Sequence, residues 1–323
     1  MRRTTTARAV VATATALVLS LSLAACSGDG GSDDSPSADA SASANAAVAA
    51  DKAALAKVKI EGEAGKEPTV TLPSTPFNVT TFVAHLVEDG DGDELTDGQI
   101  MSIQMLMLNG TDGSTMGSTY DTDTPQRIKV GQTSIAELDT ELEGAHVGAR
   151  VLVALSSGEN NTQVYAMEVV DAVDGADPAS LPTRAEGAAV APAAGLPAVT
   201  LGEDGAPSIA PVAGAAPTTL VTQPLITGTG KVVEEGDFVT VKYTGWLWDG
   251  TQFDSAWEKG EPFEFQAGAG AVIQGWDTGV QGQPVGSQVL LVVPPDQGYG
   301  AQEQGSIPAN STLVFVVDIL DAR

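Results

Sequence analysis

Toward the C-terminal end of the chain the hydrophobic positions fall into short runs separated by Gly, Pro and Asp. Phe238-Val239-Thr240-Val241-Lys242-Tyr243-Thr244 alternates with period two, as a half-buried strand does. Asp249-Gly250 is a turn signal between β-forming residues. Pro262-Phe263-Glu264-Phe265 alternates again and puts Phe263 and Phe265 on one face. Ser287 to Val293 and Thr312 to Leu320, rich in Val, Leu and Ile, predict two more strands. Helical spacing occurs from about Ala271 to Val280, where Ile273, Trp276 and Val280 stand at i, i+3 and i+7. One short helix and about five antiparallel strands predict an α+β, mostly β, domain whose twisted sheet wraps over the helix.

The same pattern occurs twice. Thr80-Thr81-Phe82-Val83 lies over Thr218-Thr219-Leu220-Val221, and Gly90-Asp91-Gly92 over Gly228-Thr229-Gly230. Gly98 lies over Gly236, Ile103 over Val241, and Gly144 to Gly148 over Gly282 to Gly286, always at an offset of 138. Near the end the offset becomes 150, with Val164-Tyr165 over Val314-Phe315 and Asp171-Ala172 over Asp321-Ala322. The second copy therefore carries twelve extra residues between the strands ending at Val293 and beginning at Leu313. Between the copies the chain is rich in Ala, Pro and Gly, which predicts a semi-extended linker over residues 174–217.

The N-terminal region reads as targeting followed by a tether. Arg2, Arg3 and Arg8 precede an uncharged apolar run, Ala9 to Leu23, too short for a comfortable membrane span. It ends in Leu23-Ala24-Ala25-Cys26, which resembles the lipobox of bacterial lipoproteins and implies a lipid on Cys26. The expected organisation is thus a signal peptide at 1–25, a lipid-anchored flexible tether at 26–65, and repeats at 66–173 and 218–323. The location that follows is export and anchoring to the outer face of the cytoplasmic membrane. Ser27 to Ala50 has almost no branched apolar or aromatic residue to offset the entropy of ordering, and Asp51 to Ile60 has the pattern of a short helix.

Charge and side-chain chemistry narrow the function. A net charge of −27 argues against nucleic acid, whose phosphates need basic patches. A single cysteine excludes internal disulfides, and two histidines without cysteine nearby offer no structural zinc set. The acidic stretch Glu88 to Asp97 fails as an EF-hand, because Glu94 and Ile100 stand where Gly and Glu are needed.

The second copy resembles the FKBP-type peptidyl-prolyl isomerases, the macrolide-binding immunophilins. The resemblance rests on Val241-Lys242-Tyr243-Thr244-Gly245, Asp249 to Ser255, Val272-Ile273-Gln274-Gly275-Trp276, Val285-Gly286-Ser287, Pro295 to Gly300, Ile307-Pro308 and Thr312 to Phe315. It implies two FKBP-like domains and a pocket in which Tyr243, Phe253, Asp254, Trp276, Tyr299 and Phe315 are catalytic. Phe263, Val272, Ile273 and Ile307 would complete the substrate-binding wall, with Trp276 as floor. The Ile273 N–H and the Tyr299 hydroxyl would bond substrate carbonyls, and Asp254 would be held by Tyr243. The implied ligands are X–Pro polypeptides and macrolide inhibitors, with no metal, cofactor or covalent intermediate, and a monomeric state. Two departures stand out: Lys259 occupies the place of an Arg able to pair with the Asp, and Gln297 breaks a Tyr-X-Tyr-Gly pattern.

The first copy keeps the framework without the chemistry. Met105 stands for Tyr243, Met116-Gly117 for Phe253-Asp254, and Leu138 for Trp276, and the loop bearing Tyr299 is missing. It is expected to be a non-catalytic, degenerate domain. Two functional readings follow: an isomerase assisting the folding of exported proteins, or a proline-segment-binding chaperone or partner-recruiting module with little turnover.

Overall fold

In the computed structural model the described residues are 38–133, 135–156, 158, 161–210 and 214–323. The signal-peptide and Cys26 readings lie outside them. The described chain divides into two units between Ser180 and Leu181.

The first unit runs α1 (Ala38–Leu55), β1 (Lys59–Glu61), β2 (Thr69–Thr71), β3 (Val83–Glu88), β4 (Ile100–Asn109), β5 (Thr115–Ser118), β6 (Gln126–Lys129), α2 (Ala136–Leu142), β7 (Arg150–Ser156) and β8 (Thr162–Val173). Its main sheet has the antiparallel order β3-β7-β8-β4-β5, with β6 also paired to β4. The second unit runs β9 (Ala188–Ala189), β10 (Val199–Leu201), β11 (Pro207–Ile209), β12 (Val221–Thr227), β13 (Phe238–Leu247), β14 (Gln252–Ser255), α3 (Ala256–Lys259), β15 (Phe263–Gln266), α4 (Gln274–Val280), β16 (Gln288–Val293) and β17 (Leu313–Ala322). Its sheet order is β14-β13-β17-β16-β12-β9, with β15 paired to β13. The two cores have the same wiring, and β4, α2 and β7 begin 138 residues before β13, α4 and β16.

Each sheet is covered on both faces. In the second unit Trp276 and Val280 of α4 pack on one face with Val239, Val241, Leu291, Phe315 and Val317. On the other, Trp246, Leu290, Val314 and Val316 meet Leu196, Val199 and Ile209. Every residue of β16 is buried in consequence, so from Val289 to Val293 its sequence reads as an apolar run with no alternation.

The structure corrects two expected boundaries. The tether was expected to reach residue 65, yet α1 spans Ala38–Leu55 and is part of the first unit. Leu55 and Val58 are buried with Phe77, Val79, Leu106 and Leu152, and Asp51 Oδ2 accepts four bonds from the N–H and hydroxyl groups of Thr80 and Thr81, at 2.8–2.9 Å. Those four donors push the Asp51 pKa down against the opposing effect of burial. Within the linker expected at 174–217, the described residues from Leu181 onward belong to the second unit and include β9, β10 and β11. The hairpin β10–β11 lies on the outer face of that unit's sheet, as β1–β2 does in the first. Each repeat thus begins well before residue 66 or 218.

Candidate functional site

α4 places the floor. It starts at Gln274, three residues later than the periodicity suggested, with Ile273 as the extended residue before it. A Cβ on Gly275 would stand 2.5 Å from Val293 Cγ1, and one on Gly279 2.6 Å from Leu291 Cδ2. Two glycines in one short helix cost propensity, about 0.8–1.0 kcal/mol each, and their use is the close seating of α4 on β16. Asp277 then pins the preceding loop, accepting from Gly268 N–H at 2.9 Å and Gly270 N–H at 3.1 Å.

That seating puts the Trp276 indole inside a box of rings. Its ring centroid lies 4.9 Å from Tyr243, 5.3 Å from Phe315, 5.6 Å from Phe265 and 6.1 Å from Phe263, all edge to face. Such contacts fix ring orientations beyond what burial alone does. Trp276 Nε1 is buried without a hydrogen-bond partner. Behind the pocket, a Cβ on Gly245 would come within 2.9 Å of both Phe253 and Phe315, so this glycine lets both rings close on the strand.

The resulting pocket has a volume of about 180 Å³ and opens to solvent beside Phe263 and Tyr299, each 38% exposed. Nine of the ten site residues expected from sequence line it: Tyr243, Phe253, Asp254, Phe263, Val272, Ile273, Trp276, Tyr299 and Phe315. Ile307 does not. It is buried in the core cluster with Trp276 and Phe315, and reciprocal backbone bonds with Gln304 (2.9 and 3.0 Å) staple its loop. Its side chain ties this loop to the core. Ala271 lines the pocket and was missed, since a lone Ala at a loop–helix junction carries no signal in the sequence.

Asp254 is the acidic group in the lining. Its Oδ2 accepts from the Tyr243 hydroxyl at 2.6 Å. Its Oδ1 meets Lys259 Nζ at 2.6 Å and accepts from Ser255 N–H at 2.8 Å. Lys259 therefore serves where an Arg was expected, on one oxygen. Burial pushes the Asp254 pKa up, but Lys259, Tyr243 and the Ser255 N–H together outweigh it and hold the carboxyl below its usual range. Burial, then Asp254, raises the Tyr243 hydroxyl well above its ordinary value, so it is a donor at neutral pH. Tyr299 is raised by burial first and by the Asp254 charge second.

The first copy lacks this arrangement. Met105 and Met107 pack against its core, Leu138 occupies the helix position of the indole, and Met116 is 53% exposed. Ser156 and Thr162 end strands separated by a short connection, where the second copy has the long loop carrying Tyr299.

Residues 230–320 match the profile of the FKBP-type peptidyl-prolyl cis-trans isomerases. The chain is 50% identical over 88 residues to "FK506-binding protein 1A" of Aspergillus fumigatus, covering 27% of this chain and 79% of that protein. It is 42% identical over 103 residues to the "FK506-binding protein" of Neisseria meningitidis serogroup A, covering 32% and 94%. Among solved structures, FkpA from Escherichia coli is similar at 35% identity and a TM-score of 0.31, over 39% of this chain and 51% of that one. At 79% and 94% of those relatives' lengths, the likeness takes in nearly a whole isomerase domain, and the chain belongs to the FKBP-type peptidyl-prolyl cis-trans isomerase family.

Proposed function

We propose that the second unit isomerises X–Pro bonds of exported polypeptides in the aromatic pocket, and that the chain is held at the outer face of the cytoplasmic membrane by a lipid on Cys26. The observation that carries this is the ring box around Trp276 with one ordered carboxylate at its wall.

An amide resists rotation by about 18–20 kcal/mol because its C–N bond has partial double-bond character. At the twisted midpoint that resonance is lost and the carbonyl is less polar. An apolar cavity disfavours the planar amide relative to the twisted one, and that difference in binding lowers the barrier. Lowering it by ~6 kcal/mol would accelerate turnover by about four powers of ten. The proline ring rests on Trp276 while Tyr243, Phe253 and Phe315 close around it. Asp254, fixed on both oxygens, faces the turning carbonyl without needing to reorganise. The N–H of Ile273 and the hydroxyl of Tyr299 bond the flanking substrate carbonyls, and the macrolide FK506, bound by relatives of that name, competes for the same space.

The test is the rate of cis/trans isomerisation of a short X–Pro peptide with the full chain, with and without FK506. Acceleration above the uncatalysed rate that FK506 abolishes supports the reading. Binding of the peptide without acceleration would reduce the protein to a proline-segment-binding module. Mass spectrometry of membrane-extracted protein reads the lipid on Cys26 directly.

A further inference from the structure

On the outer face of the second unit's sheet, opposite the pocket, lies a polar cluster that the chemistry above does not use. Asp318 is 1% exposed and accepts from the Ala185 N–H and from Gln288 Nε2, both at 2.8 Å. Its register partner on β13 is Lys242. Lys242 Nζ donates to the Thr183 carbonyl at 3.3 Å and stands 4.6 Å over the Trp257 ring. Gly205 also meets the indole: a Cβ on it would lie 3.3 Å from Trp257 Cη2 and 2.9 Å from Arg184 Cδ, and Gly205 has φ +94. The Trp257 indole thus packs against Lys242 and the loop at Gly205.

Trp257 sits in α3, a single turn capped by Ser255 at one end and closed by Gly260 with φ 77 at the other. Two residues beyond the indole, Lys259 reaches Asp254 in the pocket. A one-turn helix has no internal stiffness of its own, so its orientation comes from what it is packed against. In the first copy Tyr120 occupies the place of Trp257, but Thr122 and Gly117 stand where Lys259 and Asp254 do, so no such connection to a pocket carboxylate exists there.

We propose that Trp257, seated by the loop at Gly205 and by Lys242, is a positioning residue for the isomerisation: it orients α3 so that Lys259 stays on Asp254. The inference rests on Asp254 being the carboxylate of the reaction.

The test is a double-mutant cycle in the full chain, reading kcat and KM for an X–Pro peptide, with folding checked by thermal melting. Trp257→Ala lowers kcat about fivefold with KM little changed, as loss of an interaction made in the transition state requires. In a Lys259→Ala background the same substitution costs nothing further, because coupled residues are non-additive. Trp257→Phe, which keeps a ring under Lys242, recovers most of the rate. Gly205→Val, distant in sequence from the pocket, reproduces the loss and replaces Trp257→Ala in the cycle if that variant does not fold. Additive losses in the cycle, or a lower melting temperature with unchanged kcat, would overturn the inference and leave the proposed activity standing. A parent chain without turnover would overturn both.

Discussion

At the scale of single residues the pocket is organised around one carboxylate. Asp254 has each oxygen committed, one to Tyr243 and one to Lys259 and the Ser255 N–H. Burial alone would favour its neutral form, and these donors reverse that preference. The sign is that of a depressed acid: Asp254 stays ionised through neutral pH and below its ordinary value of 3.8, so turnover is flat down to that range. Lys259→Gln removes the ammonium and leaves burial less opposed, so the acid limb of kcat moves to higher pH. A pH profile of peptide isomerisation for parent and variant checks this. An unshifted limb would mean that Asp254 protonation does not govern the rate. Tyr243, Phe253, Asp254 and Trp276 were legible through the family resemblance that the motifs around them carry, not through spacing by itself. Ile307 was legible too, but only its presence. The inward turn of its side chain depends on the Gln304 staple, which no local pattern encodes.

Elements were readable where one face is apolar and unreadable where contacts beyond the element decide. β13 alternates and was read from that pattern alone, although Leu247 extends it past the predicted end. α3 was missed, although Ser255-Ala256-Trp257-Glu258 followed by Gly260 has the cap residues of a short helix. A four-residue element offers no periodicity to confirm such caps. α4 was found through Ile273, Trp276 and Val280, a pattern that is silent on its two glycines. The seating of Gly279 explains them and gives a sharp expectation. Gly279→Ala gains helix propensity of about 1 kcal/mol. Against that, its Cβ meets Leu291 Cδ2 at 2.6 Å and Thr222 Oγ1 at 3.3 Å in a full core. Overpacking of this kind costs about 1–3 kcal/mol, so the net effect is a loss of stability and a tilt of Trp276. Urea unfolding followed by tryptophan fluorescence measures the first. A more stable variant would show that α4 has room to move.

For the whole chain, the repeat was visible at 138 residues, but its true beginning was not. Ala/Pro/Gly-rich sequence reads as linker because it has few large side chains, yet Leu196, Val199 and Ile209 join Leu225 and Trp248 in packing on Trp246, Leu290, Val314 and Val316. Asp318 shows that this covering is built in, since a carboxyl so buried needs the Ala185 N–H and the Gln288 amide to satisfy it. Burial, ahead of these donors, still raises its pKa. Cutting the chain at residue 218 therefore removes more than a spacer. It exposes an apolar sheet face, leaves Asp318 with one donor fewer and frees the Trp257 side of α3. The fragment 181–323 is expected to unfold cooperatively and to retain the turnover of the full chain. The fragment 218–323, which contains every pocket residue, is expected to be less stable and slower. Melting curves and peptide isomerisation for the two fragments decide the point. Equal stability and equal rates would return residues 181–217 to the status of a linker and would remove the structural basis for coupling Gly205 to Asp254.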